Sequence, residues 1–326
     1  MAQKVLFIGG TGVISSACSA LAVERGIDLY LFTRGDSLRP PPEGANLIFG
    51  DINKPGDIKK VLDQQIFDIV VNWIVYEPED IERDIQTFRG KIGQYIFISS
   101  ASAYQKPVQK LPITEETPLE NPYWAYSRAK IACEELLFQA FKRDHFPATI
   151  VRPSHTYDKT LLPMQGGYTV LDRILKEKPV IIHGDGTSLW VLTHQKDFAR
   201  GFVGLLGNPM AIGEAFHITS NEILTWNRIF QMVAEATGKL LHPVHIPSSI
   251  IAQFDPDWGA SLLGDKAHSV IFDNSKIRSL VPNFNAEIPY QEGCKETVNW
   301  YLDNPKQQIV DQDLSNKMDQ SISIYQ

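Results

Sequence analysis

The opening segment KVLFIGGTGVISSACSALAVERG constrains the fold more than any other stretch of the chain. The apolar run Val5 to Ile8 reads as a buried strand, a glycine-rich turn follows it, and small residues from Ser15 to Arg25 predict a helix. Strand, turn and helix in this order can bind a pyrophosphate. Glycine lets the phosphates approach the backbone, and the helix N-terminus offers N–H groups that have no partner within the helix. Gly9 and Gly12 take the first two motif positions, with Gly10 beside them and Thr11, Val13 and Ile14 completing the turn. Ser15 stands where a third glycine is usual; it is small enough for close helix–strand packing, and its hydroxyl could face a phosphate. The plain alternative is an ordinary strand-to-helix turn.

Downstream, apolar strands alternate with helical patterns, which predicts an α/β fold: a Rossmann-type doubly wound parallel sheet with a smaller C-terminal substrate-binding lobe. Strands are expected at 5–8, 29–32, 46–49, 69–73, 95–99 and 148–152, and helices at 15–25, 55–64, 81–90 and 125–142. The dinucleotide-binding domain is placed at residues 1–155, with 180–220 returning to it. The lobe is placed at 156–304, and 305–326 is read as a polar C-terminal tail, mobile or a late helix.

Composition narrows the function classes. A net charge of −7 over 326 residues argues against a nucleic-acid partner, which calls for clustered Lys and Arg. Three well-separated cysteines, Cys18, Cys133 and Cys294, predict no disulfide framework and a reducing compartment. No apolar run reaches membrane-spanning length and no leader pattern precedes the first strand, so a cytoplasmic location is expected, with no membrane partner. No His/Cys/Asp/Glu grouping has the spacing of a metal site.

In a doubly wound sheet the ligand crosses the carboxyl ends of the strands, so the residues there are cofactor candidates. After the second strand, Arg34 suits a 2′-phosphate through charge-assisted hydrogen bonds, which favours NADP over NAD, although Asp36 could reach a ribose. After the third, Asp51 and Ile52 can meet the adenine; at the end of the fourth, Asn72 to Ile74 pass the adenosine side.

Tyr126 and Lys130 lie four apart in a predicted helix and so share one face. An ammonium beside a phenol stabilises the phenolate, which makes tyrosine usable in proton exchange with an alcohol or ketone. The fifth strand ends in a serine cluster, Ser99, Ser100 and Ser102, whose hydroxyls can hold the substrate oxygen. Serines after a strand are also ordinary turn formers.

Together Gly9-Gly10-Thr11-Gly12, Gly50-Asp51, Ser99-Ser100 and Tyr126-x-x-x-Lys130 resemble the short-chain dehydrogenase/reductase superfamily. RPSHTY at 152–157, GDGTSLWVLTHQKDFA at 184–199, FDNSKIRSLVPNF at 272–284 and EGCKETVNWY narrow the resemblance to its extended branch, the NAD(P)-dependent epimerase/dehydratase family. The resemblance implies that Tyr126 is the acid/base, that Lys130 lowers its pKa and binds the nicotinamide ribose, and that Pro153 borders the cofactor. It implies that Ser100, four residues before Tyr104, orients the substrate oxygen, with Ser102, His155 and Trp190 facing the substrate. It also allows a homodimer built on two helices of the first domain. Some plant chloroplast RNA-binding proteins look like divergent members of the same group.

The departures bear on the substrate. An arginine that grips a diphosphate in nucleotide-sugar enzymes of this branch is replaced by Trp190, and a second is replaced around Leu262 and Leu263; Lys266, His268 and Arg278 are the candidates to substitute. The acidic pair of the dehydratases is Ala101 and Ser102 here, which disfavours dehydration. His155 and His194 fall in segments expected to face the cleft, and Asp197 and Arg200 are expected to brace a helix. The expected activity is hydride transfer, as an epimerase or oxidoreductase, on a secondary alcohol or ketone of a sugar or sugar-nucleotide. The alternatives are an NADPH-dependent ketone reductase and a noncatalytic nucleotide- or RNA-binding protein on the same fold.

Overall fold

A computed structural model describes residues 3–325. Six strands follow the chain in order: β1 (Lys4–Ile8), β2 (Asp28–Thr33), β3 (Asn46–Phe49), β4 (Ile69–Asn72), β5 (Gln94–Ile98) and β6 (Ala148–Pro153). A seventh, Ala215–Ile218, joins the same parallel sheet beside β6. It is absent from the sequence reading because four residues between Glu214 and Thr219 carry too little periodicity to stand out. From this strand the order runs β6, β5, β4, β1, β2, β3. The chain therefore reverses direction across the sheet between β1 and β4, where Val5 pairs with Leu29 on one side and Ile69 on the other. Such a reversal opens a crevice at the carboxyl ends of the strands, and both cavities described below begin there.

Both faces of the sheet are covered, so the strands are apolar throughout. Val5 and Phe7 pack with Cys18 and Ala22 of helix α1 (Val13–Glu24) and with Phe198 and Phe202 of helix Gln195–Val203. Leu6 and Ile8 face the other way, toward the layer of α2 (Pro55–Gln64), α3 (Pro78–Phe88) and α4 (Ala125–Asp144). Helix α3 starts three residues earlier than its apolar spacing predicts. Pro78 fits the first turn and Glu79 and Asp80 complement the helix dipole there, signals that apolar periodicity does not contain.

The second half of the chain builds a separate apolar core around Trp190, Trp226, Trp258 and Tyr290. The segment read as a polar tail contributes to it. Residues Gln312–Tyr325 form a helix whose Leu314, Met318 and Ile322, spaced by four, are buried in that core. Arg173 ties this helix down, donating to Ser315 Oγ at 3.0 Å and to Asp319 at 2.6 Å. A single apolar stripe on an otherwise polar helix reads as a tail until its partner surface is known. Among the described residues, no helix is long and apolar enough to cross a membrane.

Candidate active site

The glycine turn leaves β1 with Gly9 and Gly10 at φ 98° and 101°, backbone that disfavours any side chain. A Cβ on Gly10 would lie 2.7 Å from Leu31 Cδ2, so the turn is also packed too closely for one. Gly12 caps α1, and its N–H donates to Ser15 Oγ at 2.7 Å. The serine hydroxyl is thus engaged inside the first turn of the helix rather than held out for a phosphate. This turn forms one wall of a cleft of about 720 Å³.

Arg34, Asp51 and Ile52 line the cleft, as do Thr11, Val13 and Ile14. Arg34 is exposed and makes no ion pair with any described residue, whereas Arg39, across the same cleft, is held by Asp158 at 2.7 Å. Asn72 requires a correction. Its side chain is fully buried away from the cleft, donating to Asp84 at 2.5 Å and accepting from the Ile74 N–H at 3.1 Å. The Tyr95 hydroxyl completes this buried network on Asp84 at 2.6 Å. Asn72 therefore shapes the end of β4, while Trp73 and Ile74 reach the cleft.

A second cavity, of about 380 Å³, adjoins the first and shares Ile14, Trp73, Tyr76 and Ile98 with it. Ser100, Ser102, Tyr126, Lys130, Pro153, His155 and Trp190 all line it, so the tertiary structure brings these seven candidates into one space. Ser100 caps the short turn Ala101–Ala103, accepting from the Ser102 N–H, and its Oγ lies 2.9 Å from Ser102 Oγ. Ser102 in turn accepts from Ser127 at 2.8 Å, and Ser99 is bonded to the buried Glu134. Ser99 and Ser102 are almost fully buried, which leaves Ser100 as the accessible hydroxyl of the cluster.

Tyr126 and Lys130 project from the first turns of α4. The Lys130 ammonium donates to the carbonyls of Val75 at 2.6 Å and Ile98 at 2.9 Å. Burial lowers its pKa to about 8. Burial also pushes the Tyr126 phenol up to about 12, an effect that interaction with the Ser100 hydroxyl partly offsets. The Tyr–Lys spacing alone predicts a more acidic phenol; in the folded chain desolvation raises it instead, and the group that opposes the rise is Ser100.

The Trp190 Nε1–H donates to His155 Nδ1 at 3.1 Å, and Trp190 is only 2% exposed, packed against Trp226. Burial lowers the His155 pKa to about 3, so this histidine is a neutral acceptor at physiological pH. His194 does not reach the cavity; it caps helix Gln195–Val203. Asp197 accepts from the Ile288 N–H at 2.9 Å and Arg200 pairs with Glu287, so both brace that helix. Of the three candidate cations, only Lys266 lines the cavity. His268 bonds to the Leu263 carbonyl and Arg278 to Asn221. Sequence reasoning missed Tyr76 and Trp124 in the cavity wall. The Trp124 ring packs at a tilt against Tyr126, 4.9 Å between centres, and precedes it by two residues, the one local signal that could have flagged it.

The close-packed glycine turn, the free helix N-terminus and the joined cavities fit a dinucleotide lying across the carboxyl ends of the strands. Residues 5–219 match the NAD dependent epimerase/dehydratase family. The chain belongs to that family. Among curated proteins, the chain is 28% identical over 250 residues to a chloroplast stem-loop binding protein of 41 kDa from Arabidopsis thaliana. That match covers 72% of this chain and 64% of the plant protein, just under two thirds of its length. It is 24% identical over 287 residues to 2′-dehydrokanamycin reductase of Streptomyces kanamyceticus, covering 86% and 80% of the two chains. Its fold matches UDP-glucuronic acid 4-epimerase of Bacillus cereus, solved with UDP-glucuronic acid and NAD. The TM-score is 0.74 at 20% identity, over 92% of this chain and 99% of that one.

Proposed function

We propose that this chain is an NAD(P)-dependent oxidoreductase or epimerase acting by hydride transfer on a secondary alcohol or ketone of a sugar or sugar-nucleotide. The observation that carries the reading is the convergence of Tyr126, Ser100 and Lys130 on a cavity continuous with the dinucleotide cleft. When bound, the nicotinamide supplies or accepts the hydride. The protein's own residues do the rest. Tyr126 exchanges a proton with the substrate oxygen, and Ser100 holds that oxygen in place. Lys130, anchored on two carbonyls, holds its ammonium 5.6 Å from the centre of the Tyr126 ring and meets the nicotinamide ribose. A phenol pushed up to about 12 stands protonated at neutral pH, which suits delivery of a proton to a carbonyl. At the far end the Gly9–Gly12 turn receives the pyrophosphate, Asp51 the adenine and Arg34 a 2′-phosphate, so NADP is favoured over NAD.

The reductase reading draws support from the likeness to 2′-dehydrokanamycin reductase. An RNA-binding reading draws support from the plant relative, but a net charge of −7 weighs against it. Purified protein incubated with NAD or NADP and a panel of sugars and sugar-nucleotides, followed by nicotinamide absorbance and product stereochemistry, tests the proposal. A retained cofactor with inverted product supports epimerisation, and a freely exchanging one supports reduction. Turnover that survives Tyr126→Phe, or no redox activity alongside salt-sensitive RNA retention, overturns it.

A further inference from the structure

Lys266 is held for a task that the hydride-transfer reading does not use. It ends a π-helical turn, Leu262–Lys266, a geometry that recurs at functional sites. Its carbonyl accepts from three side chains: His183 Nε2 at 3.0 Å, Trp226 Nε1 at 3.2 Å and Ser188 Oγ at 3.3 Å. The backbone is therefore clamped from three sides. Its ammonium lies in the smaller cavity, 5.2 Å from the centre of the Trp124 ring, and makes no ion pair or hydrogen bond with any described residue.

The surrounding charges compensate this cation only in part. Asp265 also lines the cavity, but its carboxylate is paired at 3.4 Å with Lys106, whose side chain is fully buried. The two cancel. Lys130 is directed into the carbonyls of Val75 and Ile98, and His155 is neutral. No arginine lines the cavity, so there is no fork to grip a diphosphate, and the wall is closed by the buried Trp190. At about 380 Å³ the space is near the lower end of ligand pockets, which run from roughly 300 to 1000 Å³.

From this geometry we infer that Lys266 is a substrate-binding, specificity-determining residue that takes a single anionic group, carboxylate or phosphate monoester, on a monosaccharide-sized substrate carrying no nucleotide. Trp124, beneath the ammonium, adds an apolar wall to the same cavity. The inference rests on the proposed site and narrows its substrate class. Burial lowers the Lys266 pKa, with Asp265 opposing the shift and the Lys106 charge adding to it, and an anion placed beside the ammonium favours its charged form.

Equilibrium binding decides the matter without turnover. The NADP-saturated protein is titrated with glucuronate, glucose 6-phosphate, glucose and UDP-glucuronate, followed by calorimetry and tryptophan fluorescence. The expected result is that at least one of the two acids binds about tenfold or more tightly than glucose, and that UDP-glucuronate binds no more tightly than glucuronate. Lys266→Met removes the preference for the acids, and Lys266→Arg restores part of it. Tenfold tighter binding of UDP-glucuronate, acids that bind no better than glucose, or a preference unchanged in Lys266→Met overturns the inference. The wild-type comparison stands even if a variant fails to fold. Activity that survives Tyr126→Phe removes the hydride-transfer reading and leaves these titrations to judge Lys266 separately.

Discussion

The Lys130 ammonium lies 5.6 Å from the centre of the Tyr126 ring, while its hydrogen bonds run to the carbonyls of Val75 and Ile98. One side chain thus joins α4 to the end of β5 and to the loop after β4. The expected consequence is that the two members of the pair fail differently. Lys130→Met strands two carbonyls and lowers stability by about 2–4 kcal/mol, measured by urea unfolding. Tyr126→Phe leaves stability nearly unchanged and cuts turnover by about 10²–10⁴-fold. Equal stabilities for the two variants would contradict the anchoring role.

Arg34 stands exposed at the dinucleotide cleft with no ion-pair partner among the described residues. Arg34→Ala should weaken NADP binding by roughly tenfold or more, in line with about 1.5–3 kcal/mol for a hydrogen bond to a charged group, and leave NAD binding alone. Calorimetric titration with both dinucleotides checks this; equal losses remove Arg34 from 2′-phosphate recognition.

Gly10 combines a φ of 101° with a Cβ position 2.7 Å from Leu31 Cδ2. Gly10→Ala should cost about 1–3 kcal/mol and weaken dinucleotide binding, because the strained turn shifts away from the cleft. Unchanged thermal stability and affinity would show that the turn relaxes freely.

His155, His183 and His217 have pKa values lowered by burial to about 3, 4 and 4 from the ordinary 6.5. Unfolding lets them take up protons near 6.5, so between that pH and about 4 the unfolded state binds more protons than the folded one. Stability therefore falls as pH drops through this window, by up to about 1.4 kcal/mol per pH unit for each histidine. Unfolding midpoints recorded from neutral pH down to the window's lower end should decline steadily. A flat profile would show that these imidazoles are not held neutral.

Met318 is 1% exposed in the helix that ends the described chain. Met318→Ala should destabilise the protein by about 2–5 kcal/mol, read from denaturant unfolding. A loss near zero would return this segment to the status of a tail.

How much of this was legible in advance follows from the range of each interaction. The Gly9–Gly12 turn, the alternation of strands and helices, and the four-residue spacing of Tyr126 and Lys130 are short-range patterns. They specify backbone periodicity and shared faces within about one turn or strand, and so they are written in consecutive residues. Six of the seven sheet strands and the Tyr126–Lys130 pair in the cavity followed from them, whereas Tyr76 and Trp124 of its wall did not.

What the sequence by itself determined is a dinucleotide-type fold with hydroxyl, phenol and ammonium at one end of it. Only the tertiary structure decided where each polar atom points. Asn72 turns inward because Asp84 and Tyr95 wait beneath it, and Lys130 is anchored by carbonyls from two other segments. Lys266 comes to rest over Trp124 because a π-helical turn and three distant donors hold its backbone there. Those partners are far apart along the chain, and the balance of burial against pairing that sets their direction exists only once the core has closed around them.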